Sequence, residues 1–370
     1  MPIATSNSEV PSLEGTSASR AKGAPIRKGG AAPNLGLRVV AIGGGTGLST
    51  LLRGLKRYVA APNATQPAID PACADLPCLI RDLAAVVTVT DDGGSSGRLR
   101  EDFKMLPPGD VRNCMVALSE DEHLLSKLFQ FRFGQGELQG HSFGNLFVAA
   151  LSHITGDFAQ AVQMSSQILA TRGRIYPATN TNVTLSARMD DGSLVSGETN
   201  ITASQHRIVE LMMNPGDAPP LPETLEAIRN ADLITLGPGS LYTSLITNLL
   251  VRGIPEAIAA SKAIRVYVCN LMTQANESLG LTASQHIEKI LEHAGGKHTQ
   301  LFDYALINTA PISRTLLDQY AREGQTPIEP DLDRIRALGV EPITGSFLHE
   351  GDVLRHDYDK VTDTLLKLAH

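Results

Sequence analysis

"VVAIGGGTGLSTLLRGLK" runs from Val39 to Lys56. Val39 to Ile42 are apolar, glycine then fills four of the next five positions, and leucines return at helical spacing (Leu48, Leu51, Leu52, Leu55). The pattern is a strand, a tight turn and an amphipathic helix. Gly43, Gly44, Gly45 and Gly47 let the backbone bend sharply and approach a ligand closely. A helix opening at Thr46 aims free N–H groups and its positive dipole end at an anion. The dinucleotide fingerprint G-x-G-x-x-G needs glycine at 48, where Leu48 stands. The turn suits a phosphate but does not match an ordinary NAD site. A strand-to-helix turn without a ligand is the competing reading.

Further strands and helices alternate along the chain. Strands are expected at 84–90, 231–237, 264–270, 303–307 and 340–347. Helices are expected at 110–131, 142–154, 157–170, from Glu223, at 241–251, 283–294 and 313–323, and from Asp359. A hairpin is expected at 183–201, with Asp190-Asp191-Gly192 near its turn. Such alternation gives an α/β fold, a mostly parallel sheet with helices on both faces. Ligands of such sheets bind beyond the carboxyl ends of the strands. Residues 1–36 are rich in Ser, Ala, Gly and Pro, without periodicity, and read as a disordered tail. Residues 37–370 read as one domain, and Pro- and Ala-rich residues 61–77 as an inserted surface loop.

Composition narrows the function. At 370 residues the chain can bury a sizeable core. A net charge of -7 argues against a general nucleic-acid surface. With 4% aromatic residues and no Trp, base-stacking platforms are not expected. No apolar run approaches the roughly 20 residues that span a bilayer, and no secretory signal is visible. Cys73, Cys78, Cys114 and Cys269 form no zinc pattern and read as free thiols of a cytoplasmic protein.

Every unusual loop follows an expected strand, so all can converge on one rim. In "TDDGGSSGRLR" (90–100) the adjacent carboxylates Asp91 and Asp92 repel unless a cation is near. They suit Mg2+ or ribose hydroxyls, with Gly93 donating its N–H. In "LPPGDVRNCMVALSE" (106–120), Asp110 reads as an N-cap, with Arg112 and Asn113 in the first turn. In "GHSFGNLF" (140–147), His141 and Asn145 share a helix face. In "LGPGSLYTS" (236–244), Gly237, Pro238, Gly239, Ser240 and Thr243 build a second anion cradle. Asn270, at the end of "YVCN" (267–270), can read a base edge or a sugar acetamide. Two cradles, an acidic pair and a strand-end amide fit a ligand with two phosphates and a sugar. No Ser-His-Asp order, G-x-S-x-G elbow or P-loop is present.

Taken together, "AIGGGTGLSTLLRGLK", "VVTVTDDGGSSGRLREDF", "PPGDVRNCMVALSE", "GHSFGNLFVAAL", "LGPGSLYTS", "VCNLMTQ" and "RHDYDKV" resemble the gluconeogenesis-factor (YvcK-like) family, a CofD-like branch of the 2-phospho-L-lactate transferase fold. The resemblance covers about residues 37–365. It implies a Rossmann-like, doubly wound core that binds a nucleotide sugar such as UDP-N-acetylglucosamine. It also implies a cytoplasmic regulator linking carbon supply to cell-wall precursor synthesis and cell shape. An enzyme partner in amino-sugar synthesis and a homo-oligomer go with that reading, and no cofactor is required. The transferase branch implies instead Mg2+, held by Asp91 and Asp92, and phosphoryl-group transfer. Thr247 departs from the family pattern by standing where a proline usually precedes "NLL".

Overall fold

Strand β1 (Leu37–Gly43) is the hub of a seven-stranded sheet in a computed structural model that describes residues 36–60, 79–120, 124–296 and 300–370. On one side of β1 lie β2 (Ile80–Val87) and β3 (Arg174–Pro177). On the other lie β7 (Leu233–Leu236), β8 (Ile264–Val268), β9 (Tyr304–Asn308) and β10 (Glu341–Gly345). Every pairing in this sheet is parallel. The order β10-β9-β8-β7-β1-β2-β3 reverses direction between β1 and β7. A crevice opens at such a switch point, beyond the carboxyl ends of the two strands.

Burial explains why β1 and β7 read as unbroken apolar runs. Val39 to Gly43 and Leu233 to Leu236 are buried throughout, as strands covered on both faces must be. The helix Gly45–Lys56 presses Leu48, Leu51, Leu52 and Leu55 into the core. Its other contacts include the last helix, Tyr358–Ala369, where Gly54 lies against the Tyr358 carbonyl.

Several expectations change. The segment after β2 becomes a helix, Gly94–Phe103, where the sequence read as a glycine-serine loop. The helical stretch 110–131 is two helices, Gly109–Leu118 and Leu124–Gln130. The hairpin is part of a larger unit: β4 (Thr184–Met189), β5 (Leu194–Ser196), the helix Glu198–Ala203 and β6 (Ile208–Asn214). The three strands form an antiparallel sheet in the order β5-β4-β6. The helix after β7 opens with six π-helical residues, Leu241–Ile246. The Thr247 hydroxyl donates to the carbonyls of Tyr242 (2.8 Å) and Thr243 (3.1 Å) within this wide turn. A two-stranded ribbon, β11 (Leu348–Glu350) and β12 (Leu354–His356), precedes the last helix. Residues 1–35 and the expected loop 61–77, with Cys73 and Cys78, lie outside the described residues. Cys114 and Cys269 are free and buried. Among the described residues no helix is long and apolar enough to cross a membrane.

Candidate functional site

A cleft of about 250 Å3 occupies the switch point. Gly44, Gly45, Thr46 and Gly47 from the turn after β1 line one side; Pro238, Gly239 and Ser240 from the turn after β7 line the other. Gly45 adopts φ +61, the left-handed region that glycine favours, and Gly237 φ +87. Gly44 is pinned from below. A methyl group there would lie 2.6 Å from Thr88 Cγ2 and 2.8 Å from Asp110 Oδ2. The third wall comes from the ends of β8 and β12: Asn270, Leu271, Met272 and Gln274, then Leu354, Arg355 and His356. Asn270 Oδ1 accepts the Gly239 N–H at 3.4 Å, so the strand-end amide supports the second glycine turn.

The two turns are not equivalent. At the first, the Gly45 N–H is given to the Asp110 carboxylate, but Thr46 and Gly47 line the cleft and Thr46 is exposed. At the second, the Tyr242 N–H (3.0 Å) and the Thr243 hydroxyl (2.8 Å) both donate to the Glu277 carboxylate. The start of the π-helix therefore already holds an anion of the chain itself. Thr243 is 5% exposed and does not line the cleft. Burial pushes the Glu277 carboxyl above its ordinary value, offset in part by those two donors.

The acidic loop lies beside the cleft rather than in it. Asp92 Oδ2 accepts the Glu198 N–H, and Oδ1 accepts the N–H and hydroxyl of Thr199, at 2.6 to 2.8 Å. Asp92 thus ties down the helix Glu198–Ala203, whose far end receives Asn276 Nδ2 at the Thr202 carbonyl. Asp91 Oδ1 accepts the Gly93 N–H at 2.9 Å, an Asx turn. Asp110 stands at the second position of its helix and is not the N-cap; its carboxylate turns back to accept the Gly45 N–H. Desolvation raises the Asp110 carboxyl to about 6, and Asp91 adds to the shift. Glu198 is also raised well above its ordinary value, first by burial and then by Asp91 and Asp110. Perturbed carboxyls of this kind gather at functional sites, though structural clusters produce them too.

The remaining expected residues form a polar layer behind this loop. Arg112 donates to Ser142 Oγ (2.7 Å) and Asn113 Oδ1 (2.6 Å). His141 Nδ1 meets Ser95 Oγ at 3.0 Å. Asn145 is 2% exposed and sits in the first turn of the helix Phe143–Thr155, which Ser142 caps. None of these residues, nor Gly43, Asp91, Asp92, Gly93 or Gly237, lines the cleft. Sequence reasoning missed Gln274, Tyr320, Arg355 and His356 as lining residues. Only the run "RHDYDKV" pointed toward the last two, and it carried no role.

A family model described as 2-phospho-L-lactate transferase CofD matches residues 39–348. The chain belongs to that family. Within the CofD family it is similar to the gluconeogenesis factor of Halalkalibacterium halodurans, 46% identical over 331 residues, covering 89% of this chain and 95% of that protein. The gluconeogenesis factor of Bacillus subtilis is 44% identical over 333 residues, covering 90% and 98%. A crystal structure of a UPF0052-family protein from Bacillus halodurans superposes with a TM-score of 0.81 at 47% identity, covering 89% of this chain and 99% of that one. The CofD family match ends at 348, so Arg355 and His356 in the cleft wall lie beyond it.

Proposed function

We propose that this chain binds a nucleotide sugar, UDP-N-acetylglucosamine first among them, in the cleft between the Gly44 and Pro238 turns. It acts as a cytoplasmic regulator rather than an enzyme, coupling growth on gluconeogenic carbon to cell-wall precursor synthesis and cell shape. The observation that carries this is the cleft itself: a glycine turn and helix start at the switch point, with Thr46 and Gly47 on the cleft, facing the guanidinium-bearing β12 wall. The diphosphate sits against Gly45, Thr46 and Gly47, with Arg355 closing from the opposite side. Asn270 and Gln274 supply amide contacts to the base or sugar. The relatives named gluconeogenesis factor support the metabolic role. The regulated partner is an enzyme of amino-sugar synthesis that reads the bound state.

The family description favours a second reading, transfer of a phosphoryl-containing group with Mg2+. The donor set counts against it. Both oxygens of Asp92 and one of Asp91 already accept backbone or hydroxyl donors, so a cation would have to share them with the helix that Asp92 holds. The test is calorimetry with UDP-N-acetylglucosamine, UDP-glucose, GDP and NAD, followed by incubation with Mg2+, nucleotide-linked donors and candidate acceptors. Binding of the UDP-sugar without product supports the regulator. Steady turnover that is lost in Asp91→Asn establishes the transferase instead.

A further inference from the structure

A second cavity, of about 200 Å3, opens one strand further along the same rim, over the carboxyl ends of β8 and β9. Its apolar body is made by Ile307, Ile312, Leu317 and Ile328. Pro311, Pro327 and Pro330 stiffen its edges. Asn270 and Thr309 add polar groups, and among the described residues no charged side chain lines it. The walls are held in place without an occupant. Asn308 is tied at both ends of its amide, donating to the Ala310 carbonyl (3.1 Å) and accepting the Phe347 N–H (2.9 Å). The Ile328 N–H donates to the Leu271 carbonyl at 3.2 Å. A rigid, mostly apolar hollow with a few convergent polar groups is the ordinary form of a small-molecule site.

The two cavities share one wall. Asn270 and Leu271 line both. On the cleft side Asn270 Oδ1 takes the Gly239 N–H. Leu271 belongs to a small apolar cluster with Met272, Leu316 and Leu354, against which Ile312 packs. Leu354 is followed directly by Arg355 and His356, which face the cleft. A body resting on Leu271 and Ile312 therefore presses on the residues that carry the far wall of the cleft.

We propose that this cavity is a second ligand site. It takes a small, neutral, largely apolar molecule with one hydrogen-bonding end, and its occupancy is transmitted to the cleft through Asn270 and Leu271. The absence of lining charge excludes anionic and cationic ligands on desolvation grounds. The polar end meets Asn270 and Thr309, while the apolar body lies against Ile307, Ile312, Leu317 and Ile328. This site is separate from the nucleotide-sugar cleft and stands whether or not that ligand is correctly named.

Indole serves as the probe, being neutral, flat and equipped with one N–H. Saturation-transfer NMR on the full chain is expected to show transfer to indole. Transfer should be lost in Leu317→Trp and in Ala310→Leu, two independent ways of filling the hollow. Hydrogen exchange read by mass spectrometry should slow in 269–273 and 348–356. The slowing should approach about tenfold when indole is at roughly nine times its dissociation constant. No transfer in the parent, or transfer unchanged in both filled variants, overturns the site. Transfer with unaltered exchange in 348–356 overturns the coupling. Complete displacement of indole by saturating UDP-N-acetylglucosamine would make the cavity part of the cleft and overturn its separateness. If indole binds as expected while no UDP-sugar binds, the inference stands and the nucleotide-sugar reading falls.

Discussion

Gly47 and Pro238 meet backbone to backbone. A methyl group on Gly47 would run into the Pro238 carbonyl oxygen, 2.7 Å from its carbonyl carbon and 3.1 Å from Gly239 Cα. The turns after β1 and β7 therefore interlock across the switch point. Neither neighbour can yield by rotating a side chain, since both are main chain. Gly47→Ala is expected to cost about 1–3 kcal/mol of stability through forced backbone displacement. It should also weaken nucleotide-sugar binding, because both sides of the cleft move. Thermal unfolding and calorimetry on the same preparation check this. A variant with the parent's melting temperature and affinity would show that the turns are not in contact.

Arg355 has a different signature. It is exposed and lines the cleft from β12. Arg355→Ala should leave the melting temperature nearly unchanged. It should lower affinity for UDP-N-acetylglucosamine by roughly tenfold or more, the ordinary value of one charge-assisted hydrogen bond. The salt dependence of binding should flatten as well, since a cation–phosphate contact is lost. A variant that binds as tightly as the parent at low salt would remove Arg355 from the site.

Thr243 separates the two glycine turns. Its hydroxyl donates to Glu277, not to the cleft. Thr243→Val leaves one Glu277 oxygen short of a donor, and a cost of about 1–3 kcal/mol follows. Affinity for the nucleotide sugar should stay within about twofold, well under the tenfold that 1.4 kcal/mol would give. Glu277→Ala should destabilise more, because the Tyr242 N–H loses its partner too. A large affinity loss in a well-folded Thr243→Val protein would return Thr243 to the ligand's neighbourhood.

Thr243 also shows where reading the sequence stops. Hydrophobic period located β1, β7, β8 and β9, because these runs are buried on both faces and bounded by glycine, proline or asparagine. The first glycine turn was legible for the same reason. A period reports which face is buried and says nothing about which partner a polar side chain finds. Glu277 lies 34 residues from Thr243, and the Glu198 N–H that Asp92 accepts lies 106 residues away. The helix Gly94–Phe103 hid behind a glycine-serine start and a mostly polar sequence that imitates a loop. Strand β6 was passed over although it alternates, since Met212 and Met213 blur its period. The β12 wall was invisible as a wall because β12 belongs to a separate two-stranded ribbon, and only tertiary packing, with His356 Nε2 on the Cys269 carbonyl, brings it to the cleft.

Buried histidines contribute to the loss of stability in acid. Burial holds His286 and His293 below the ordinary value, and His356 falls from 6.5 to about 4. His293 is fully committed in its neutral form: Nδ1–H donates to the Lys289 carbonyl and Nε2 accepts the Leu211 N–H. His356 Nε2–H donates to the Cys269 carbonyl at 3.0 Å, beneath the cleft. About a unit or more above pH 6.5 neither the folded nor the unfolded chain protonates these rings appreciably, and their contribution is fully present. Below it the unfolded chain takes up protons that the fold refuses, so stability falls as pH falls toward 4. Asp110, Glu198 and Glu277 act the other way. Their folded forms keep a proton above the ordinary carboxyl range, so each subtracts stability as pH rises through that range, Asp110 up to about 6. The two sets are separable by substitution. In His356→Gln the side-chain amide can still donate to Cys269 but does not titrate. The parent should lose about 2 kcal/mol more than this variant between pH 7 and pH 5, on the His356 shift alone. Urea unfolding at the two pH values measures the difference. Parallel losses in the two proteins would mean that His356 accepts its proton in the folded state, and that the β12 wall is open to solvent there.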